Sequence, residues 1–182
     1  MPAHAKYGEA KLNAKAKDAA TRIADELAAA EIKLVASLPD DWIAELIKTL
    51  DADARFTHVP VNREESAVGL CSGSFFSATR SVALMGASGL MTCIYAITKI
   101  NYTYEIPMMF MISLRGAIGD SAKYQVSNGL YLAPLLTSVN LPYEIIDSRD
   151  KLRAIRAAYR HTRVINRPVV VALTRDVLRG EA

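Results

Sequence analysis

Two adjacent carboxylates, Glu64 and Glu65, open an apolar helical stretch and are the residues best placed in this chain to handle a proton. Acids in a first helical turn complement the helix dipole by roughly 0.3–1 kcal/mol, and that role alone would account for them. A chemical role needs one carboxyl group in a dry pocket, where burial raises its pKa while the helix start lowers it. Such a group can share a proton with a ring nitrogen of a bound molecule. Asp40 follows Ser37-Leu-Pro39 and either caps a helix or assists proton transfer. Arg115, in Ser113-Leu-Arg-Gly116, either clamps an anion bidentately or snorkels from its loop. Gln125 either donates to a ligand or faces solvent. His58 lies near the end of a strand, where a lone histidine reads as structural. No cysteine or second histidine stands at metal-ligand spacing, so no metal site is expected on this chain.

These side chains need elements to hold them. Ala67, Val68, Leu70, Cys71, Phe75 and Ala78 recur at three- and four-residue spacings, predicting a helix over 64–78 laid against a sheet. Gly69 and Gly73 notch one side of it, so that something can approach closely. Residues 81–85 form an apolar strand ending in the small-residue turn Gly86-Ala-Ser-Gly89. Further strands are expected at 32–36, 55–61, 108–112, 142–146 and 168–173. Helices are expected at 17–28, from Asp40 or Asp41 as cap to 50, and at 89–102. Two more are expected at 121–138, with Gly129 or Pro134 as a break, and from Asp147 or Ser148 as cap to 164. Six strands alternating with six helices, several strands apolar throughout, predict an α/β fold. Its sheet is about six-stranded and mostly parallel, with helices on both faces. Ligands of such sheets gather at the carboxyl ends of the strands. Loops 37–40, 61–64, 86–89 and 113–116 fall at that one edge.

The 182 residues divide into an Ala- and Lys-rich N-terminal arm, 1–16, and a single domain, 17–182. Hydrophobic residues are 51% and charged residues 23%, which excludes a disordered chain. A net charge of +3 implies no nucleic-acid partner. Arg149, Arg153, Arg156, Arg160 and Arg163 share a helical face without interleaved aromatics, which reads as a solvated surface. Cys71 and Cys93 stand in apolar context, as reduced core residues do. No apolar run approaches the ~18 residues of a membrane span, and a cytoplasmic location is expected.

The run Glu64-Glu-Ser-Ala-Val-Gly69-Leu-Cys-Ser-Gly73 resembles the pyrimidine-binding (PYR) domain of thiamine-diphosphate enzymes. In that family a Glu begins a helix, a small residue follows about one turn later, and a Gly comes nine positions on. Counting back from Gly73 selects Glu64 over Glu65. S-L-P at 37–39, V-N-R-E-E at 61–65, S-G-L at 88–90, I-P at 106–107 and I-S-x-R-G at 112–116 extend the similarity from about residue 20 to the end. They resemble the α subunits of sulfopyruvate decarboxylase and the related phosphonopyruvate decarboxylases. The resemblance implies a flavodoxin- or Rossmann-like three-layer domain. It implies that Glu64 activates the cofactor aminopyrimidine to form the C2 ylid that attacks a 2-oxoacid. Gly86, Ser88 and Gly89 would line the cofactor, and Asp40, Arg115 and Gln125 the substrate.

The family binds diphosphate and Mg²⁺ through a G-D-G motif ending in Asn on a second domain. This sequence has Gly119-Asp-Ser121 but no G-D-G. The resemblance therefore implies a hetero-oligomer: a separate diphosphate-binding (PP) β subunit carries G-D-G…N and the metal, and the cofactor lies between the chains. The family's Q-N-S-G-x-G-N is absent, since residues 86–92 read Gly-Ala-Ser-Gly-Leu-Met-Thr, and Leu114 replaces a polar or aromatic residue. A site with fewer donors holds a strongly anionic tail less well. The substrate is thus expected to be a small 2-oxoacid, less polar than sulfopyruvate or met by donors of the partner. Two other readings share the scaffold: a carboligase or acyl-transfer subunit, and a non-catalytic α/β binding subunit.

Overall fold

A strand apolar at every position requires cover on both faces. The computed structural model supplies it: six parallel strands with a helical layer on each side. It describes residues 3–118 and 120–182, with side chains from residue 14. Residues 1 and 2 of the expected arm, and Gly119, lie outside the described residues. The strands are β1 (Leu34–Ser37), β2 (Thr57–Pro60), β3 (Ser81–Gly86), β4 (Met109–Ser113), β5 (Tyr143–Ile146) and β6 (Val169–Leu173), in the order β2-β1-β3-β4-β6-β5. Every pairing is parallel.

The helices are α1 (Ala3–Ala29), α2 (Ala44–Asp51), α3 (Glu64–Phe76), α4 (Ala87–Thr92), α5 (Ile94–Ala96), α6 (Val126–Ser138), α7 (Ala154–Ile165) and α8 (Arg175–Arg179). Strand alternation divides the core in two. Val35, Leu84, Met109, Met111 and Val171 meet Ile23, Leu27, Leu46, Ile155 and Val177 of α1, α2, α7 and α8. Ala83, Met85, Phe110 and Ile112 meet Val68, Cys71, Leu90 and Leu136 of α3, α4 and α6.

Several boundaries differ from expectation. The helix of α1 begins at Ala3, so the backbone of 3–16 continues it, as an Ala- and Lys-rich stretch favours. Neither Asp40 nor Asp41 caps α2, which starts at Ala44; the Asp40 carboxylate instead accepts the Trp42 N–H in the preceding turn, at 3.0 Å. The apolar stretch 89–102 is α4, α5 and a π-helical turn, Ile97–Tyr102. Inside that turn the buried Asn101 amide donates to Ser72 Oγ and the Ile106 carbonyl. Helix α6 follows a 3-10 turn, Lys123–Gln125, and passes unbroken through Gly129 and Pro134. The Pro134 ring leaves the carbonyl of residue 130 without its helical donor, and Leu130 is exposed, so water can replace it. Neither Asp147 nor Ser148 caps α7, because a 3-10 turn, Arg149–Lys151, intervenes. Helix α8 was not anticipated.

On α7, Arg153, Arg156, Arg160 and Arg163 are exposed opposite buried Ile155 and Tyr159. Arg156 pairs with Glu26 at 2.6 Å, and Arg163 lies 5.0 Å over the Phe75 ring. No described helix is long and apolar enough to cross a membrane.

Candidate functional site

Glu64 is the first residue of α3, which the extended backbone of Arg63 enters without a side-chain cap. Its side chain is half-buried and lies against the backbone of α4: a Cβ placed on Gly89 would fall 2.6 Å from both Cγ and Oε1 of Glu64. Glycine is required for that approach. Among the described residues, nothing hydrogen-bonds to or pairs with the Glu64 carboxylate. Glu65 differs, since Arg63 Nη2 stands 3.3 Å from its Oε1. A backbone N–H and Arg63 hold the Glu65 carboxyl below its usual range. Ser88 is exposed beside Gly89 on α4.

At the start of the same turn, Gly86 faces Asp40, whose Oδ2 would stand 3.2 Å from a Cβ there. Gly86 pairs across the sheet with Ser113, and Ser113 Oγ donates to Asp40 Oδ1 at 2.9 Å. Asp40 therefore sits over the carboxyl ends of β3 and β4, on the loop leaving β1. One short turn, 86–89, thus supports two carboxylates, Asp40 at its beginning and Glu64 at its end.

Arg115 is buried behind Asp40. Its Nε donates to Asp120 Oδ2 at 2.9 Å, its Nη1 lies 3.6 Å from Asp40 Oδ2, and its guanidinium stacks 4.0 Å from the Trp42 ring. Burial pulls the guanidinium's pKa down, but the Asp120 bond and the two carboxylates outweigh it and hold it above its ordinary value. Arg115 in turn keeps the Asp120 carboxyl far below the carboxylate range, against burial and with help from the N–H groups of Gly116 and Ala122. Beside this network opens a cavity of about 300 Å³ lined by Trp42, Leu114, Asp120, Thr174 and Arg175.

Gln125 is buried at the entry to α6, where its Oε1 accepts from Asn128 Nδ2. The loop after β4 is seated on that helix by two glycines. Gly116 adopts φ +77°, and a Cβ on Gly129 would fall 2.0 Å from the Gly116 carbonyl oxygen. Gly69 and Gly73, by contrast, meet nothing within 4 Å, so the notch of α3 faces open space. Cys93 lies behind the glutamates. Burial pushes its thiol up to about 12, the Thr92 hydrogen bond opposes, and the charges of Glu65 and Glu64 add to the rise. Among the described residues, no three His, Cys, Asp or Glu side chains are grouped to hold a metal ion.

The structure thus brings Asp40, Gly86, Ser113 and Arg115 together, and Glu64 to Gly89. Sequence reasoning missed Ser113, Trp42 and Asp120 as members of this network. Asp120 had a signal: it lies five residues after an arginine in a glycine-bearing loop. Ser113 and Trp42 had none, since the contacts of Ser113 with Asp40 and of the Trp42 ring with Arg115 join segments far apart in sequence.

Fold and site together define a doubly wound α/β domain whose polar cleft lies at the carboxyl edge of a parallel sheet. No protein-family model matches the chain. It is 32% identical over 112 residues to the sulfopyruvate decarboxylase subunit alpha of Methanococcus maripaludis, covering 62% of this chain and 67% of that one. It is 29% identical over 151 residues to the subunit alpha of Methanocaldococcus jannaschii, covering 82% and 88%. A sulfopyruvate decarboxylase of Methanosarcina acetivorans is 32% identical over 121 residues, 66% of this chain and 31% of the longer relative. The chain belongs to the sulfopyruvate decarboxylase α-subunit family.

Proposed function

We propose that this chain is the pyrimidine-binding α subunit of a split, thiamine-diphosphate-dependent 2-oxoacid decarboxylase, with Glu64 as its catalytic carboxylate. The observation that carries this reading is the contrast between the two glutamates. Glu65 is engaged by Arg63, whereas Glu64 has no partner among the described residues and lies against a backbone that only a glycine allows it to approach. A carboxylate so placed fits a ring nitrogen that must gain and lose a proton. When bound, thiamine diphosphate supplies the electron sink for carbon dioxide loss.

Glu64 would hold the proton at the aminopyrimidine, and Gly86, Ser88 and Gly89 would shape the wall beside it. Asp40 and Gln125 would line the substrate side, with Arg115 fixing the charge and orientation of Asp40. The diphosphate and Mg²⁺ fall to a β subunit bearing the G-D-G…N motif that this chain lacks. Relatives named as subunit alpha support a companion chain. The Methanosarcina relative, of which the match covers 31%, has length to spare for such a half. We place the partner on the outer layer of α5 and α6, where Tyr95, Leu130 and Tyr131 are exposed.

The test is to co-purify the chain with its companion, titrate thiamine diphosphate and Mg²⁺, and follow carbon dioxide release from a 2-oxoacid panel. Cofactor binding is expected only in the complex. Glu64→Gln is expected to lower turnover by at least ~10²-fold, within the range a positioned acid or base supplies. Glu65→Gln is expected to be mild. Equal losses from both substitutions would refute the assignment.

A further inference from the structure

His58 is not isolated. Its Nε2 lies 2.7 Å from Ser37 Oγ, and its Nδ1 lies 2.8 Å from Asp51 Oδ1. The three come from neighbouring elements: Ser37 ends β1, His58 is on the edge strand β2, and Asp51 ends α2. The order hydroxyl–imidazole–carboxylate is that of a hydrolytic triad. Exposure decides against that use, because Ser37 is 1% exposed and a nucleophile that no substrate reaches transfers nothing.

We propose instead that Ser37, His58 and Asp51 form a strut that fixes the Asp40 loop, with His58 as its positioning residue. The segment from Ser37 to Asp51 contains that loop and all of α2. Ser37 immediately precedes Leu38-Pro39-Asp40, and Asp51 closes the helix that follows. One imidazole on β2 therefore ties both ends of the segment to a neighbouring strand. On its β2 side the sheet supplies little there, whereas on the β3 side Ser37 pairs with Leu84 and the Leu38 N–H donates to the Leu84 carbonyl at 3.0 Å. Pro60 stands opposite Ser37 and has no N–H to give, and one bond, Val61 N–H to the Ser37 carbonyl at 2.9 Å, continues the pairing.

The proton arrangement follows from the partners. Asp51 is a carboxylate and only accepts, so Nδ1 must carry a hydrogen. In the neutral ring Nε2 is then bare and accepts from the Ser37 hydroxyl. A serine hydroxyl can donate or accept, so the Ser37 contact alone leaves either tautomer open and the Asp51 contact selects one; the tautomer therefore reports whether the strut is assembled. That the fixed loop presents Asp40 to a substrate rests on the proposed decarboxylase reading; the strut itself does not.

The test uses the chain alone. ¹⁵N NMR of the His58 ring, below saturation with protons, is expected to show hydrogen on Nδ1 and a bare Nε2, and Asp51→Ala is expected to move it to Nε2. Hydrogen exchange at the Trp42 amide, held by Asp40 Oδ1, reads the loop, and the emission of this sole tryptophan reads it independently. His58→Ala is expected to speed Trp42 exchange about tenfold, the equivalent of one or two lost hydrogen bonds. His58→Gln, which can place an acceptor near the Nε2 position, restores it to within about twofold, and His58→Asn, too short to reach Ser37, does not. A hydrogen on Nε2 in the parent chain would overturn the proposal, as would equal exchange in the Gln and Asn variants. Because none of these readouts needs cofactor or partner, a strut that stands while Glu64→Gln leaves turnover unchanged refutes the decarboxylase reading alone. A failed strut with a Glu64→Gln complex that has lost turnover refutes only the strut.

Discussion

Replacing Gly89 by alanine separates the integrity of the fold from the availability of Glu64. The added methyl carbon lies 2.6 Å from Cγ and Oε1 of Glu64 and 3.0 Å from Cδ. Carbon contacts are comfortable near 3.5–4.0 Å, so the side chain must retreat by about 1 Å. Glu64 can yield, being half-buried and unpartnered among the described residues. An off-rotamer side chain costs about 0.5–1.5 kcal/mol. Alanine inside α4 gains up to ~1 kcal/mol of helix propensity over glycine. The two nearly cancel, and the thermal midpoint is expected to stay within about 4 °C of the parent. On the proposed reading activity is not expected to cancel, because a catalytic carboxylate displaced by that distance would lose a contribution of ~10²–10⁴-fold. The assay pairs a melting curve on the chain with carbon dioxide release from the reconstituted complex. A variant with parental turnover would show that the Glu64 carboxylate against Gly89 is not the working group. A collapse of the melting point would show that the contact belongs to the fold and not to the site.

Gly129→Ala addresses the loop after β4. Its Cβ would meet the Gly116 carbonyl oxygen at 2.0 Å, and backbone has no rotamer with which to withdraw. A loss of at least about 1–3 kcal/mol is expected, read as a lowered urea midpoint; an unchanged midpoint would mean that the loop is not seated on α6. Asp120 sets an acid dependence. Arg115 holds its carboxyl depressed, so its contribution is present above the unfolded value of about 4 and is lost as pH falls toward the folded one. Stability of the parent chain is therefore expected to fall more steeply below about pH 4 than that of Asp120→Asn. Parallel curves would refute the pairing.

The layer arrangement was legible because it rests on local pattern. Runs such as Met108-Met-Phe-Met-Ile112 have no exposed face to offer, but the close approach expected at Gly69 and Gly73 occurs instead at Gly86 and Gly89, since spacing alone does not say which glycine a neighbour meets. Helix starts were less legible. Asp40, Asp41, Asp147 and Ser148 are all good capping residues, yet short turns precede α2 and α7, and the Asp40 carboxylate is used for Trp42 and Ser113. Propensity ranks what a residue can do locally and carries no information on a competing donor 73 positions away. For the same reason His58 read as solitary: Ser37 lies 21 positions away, Asp51 seven positions away on another element, and they meet it only through parallel pairing of β1 with β2 and the packing of α2.

Charge at the carboxyl edge bears on what the chain could accept unaided. Arg115 is the natural clamp for an anionic substrate by residue type, but its Nε donor is given to Asp120 and its Nη1 lies toward Asp40. Releasing it would leave Asp120, 4% exposed at its side chain, with only the Gly116 and Ala122 N–H groups to hold its charge, which opposes the release. Arg175 lines the neighbouring cavity but with Asp176 beside it, so the local balance does not change sign. With Asp40, Asp120 and Glu64 against one engaged guanidinium, carboxylates outnumber cations in this network. The stretch 86–92, poor in side-chain amides, does not repair the deficit. Within the proposed reading, the cationic and hydrogen-bond-donating groups for the substrate must therefore come from the companion chain. On that reading, a cleft shared by two chains would explain why a carboxylate that handles the proton and the groups that neutralise the substrate need not be encoded together.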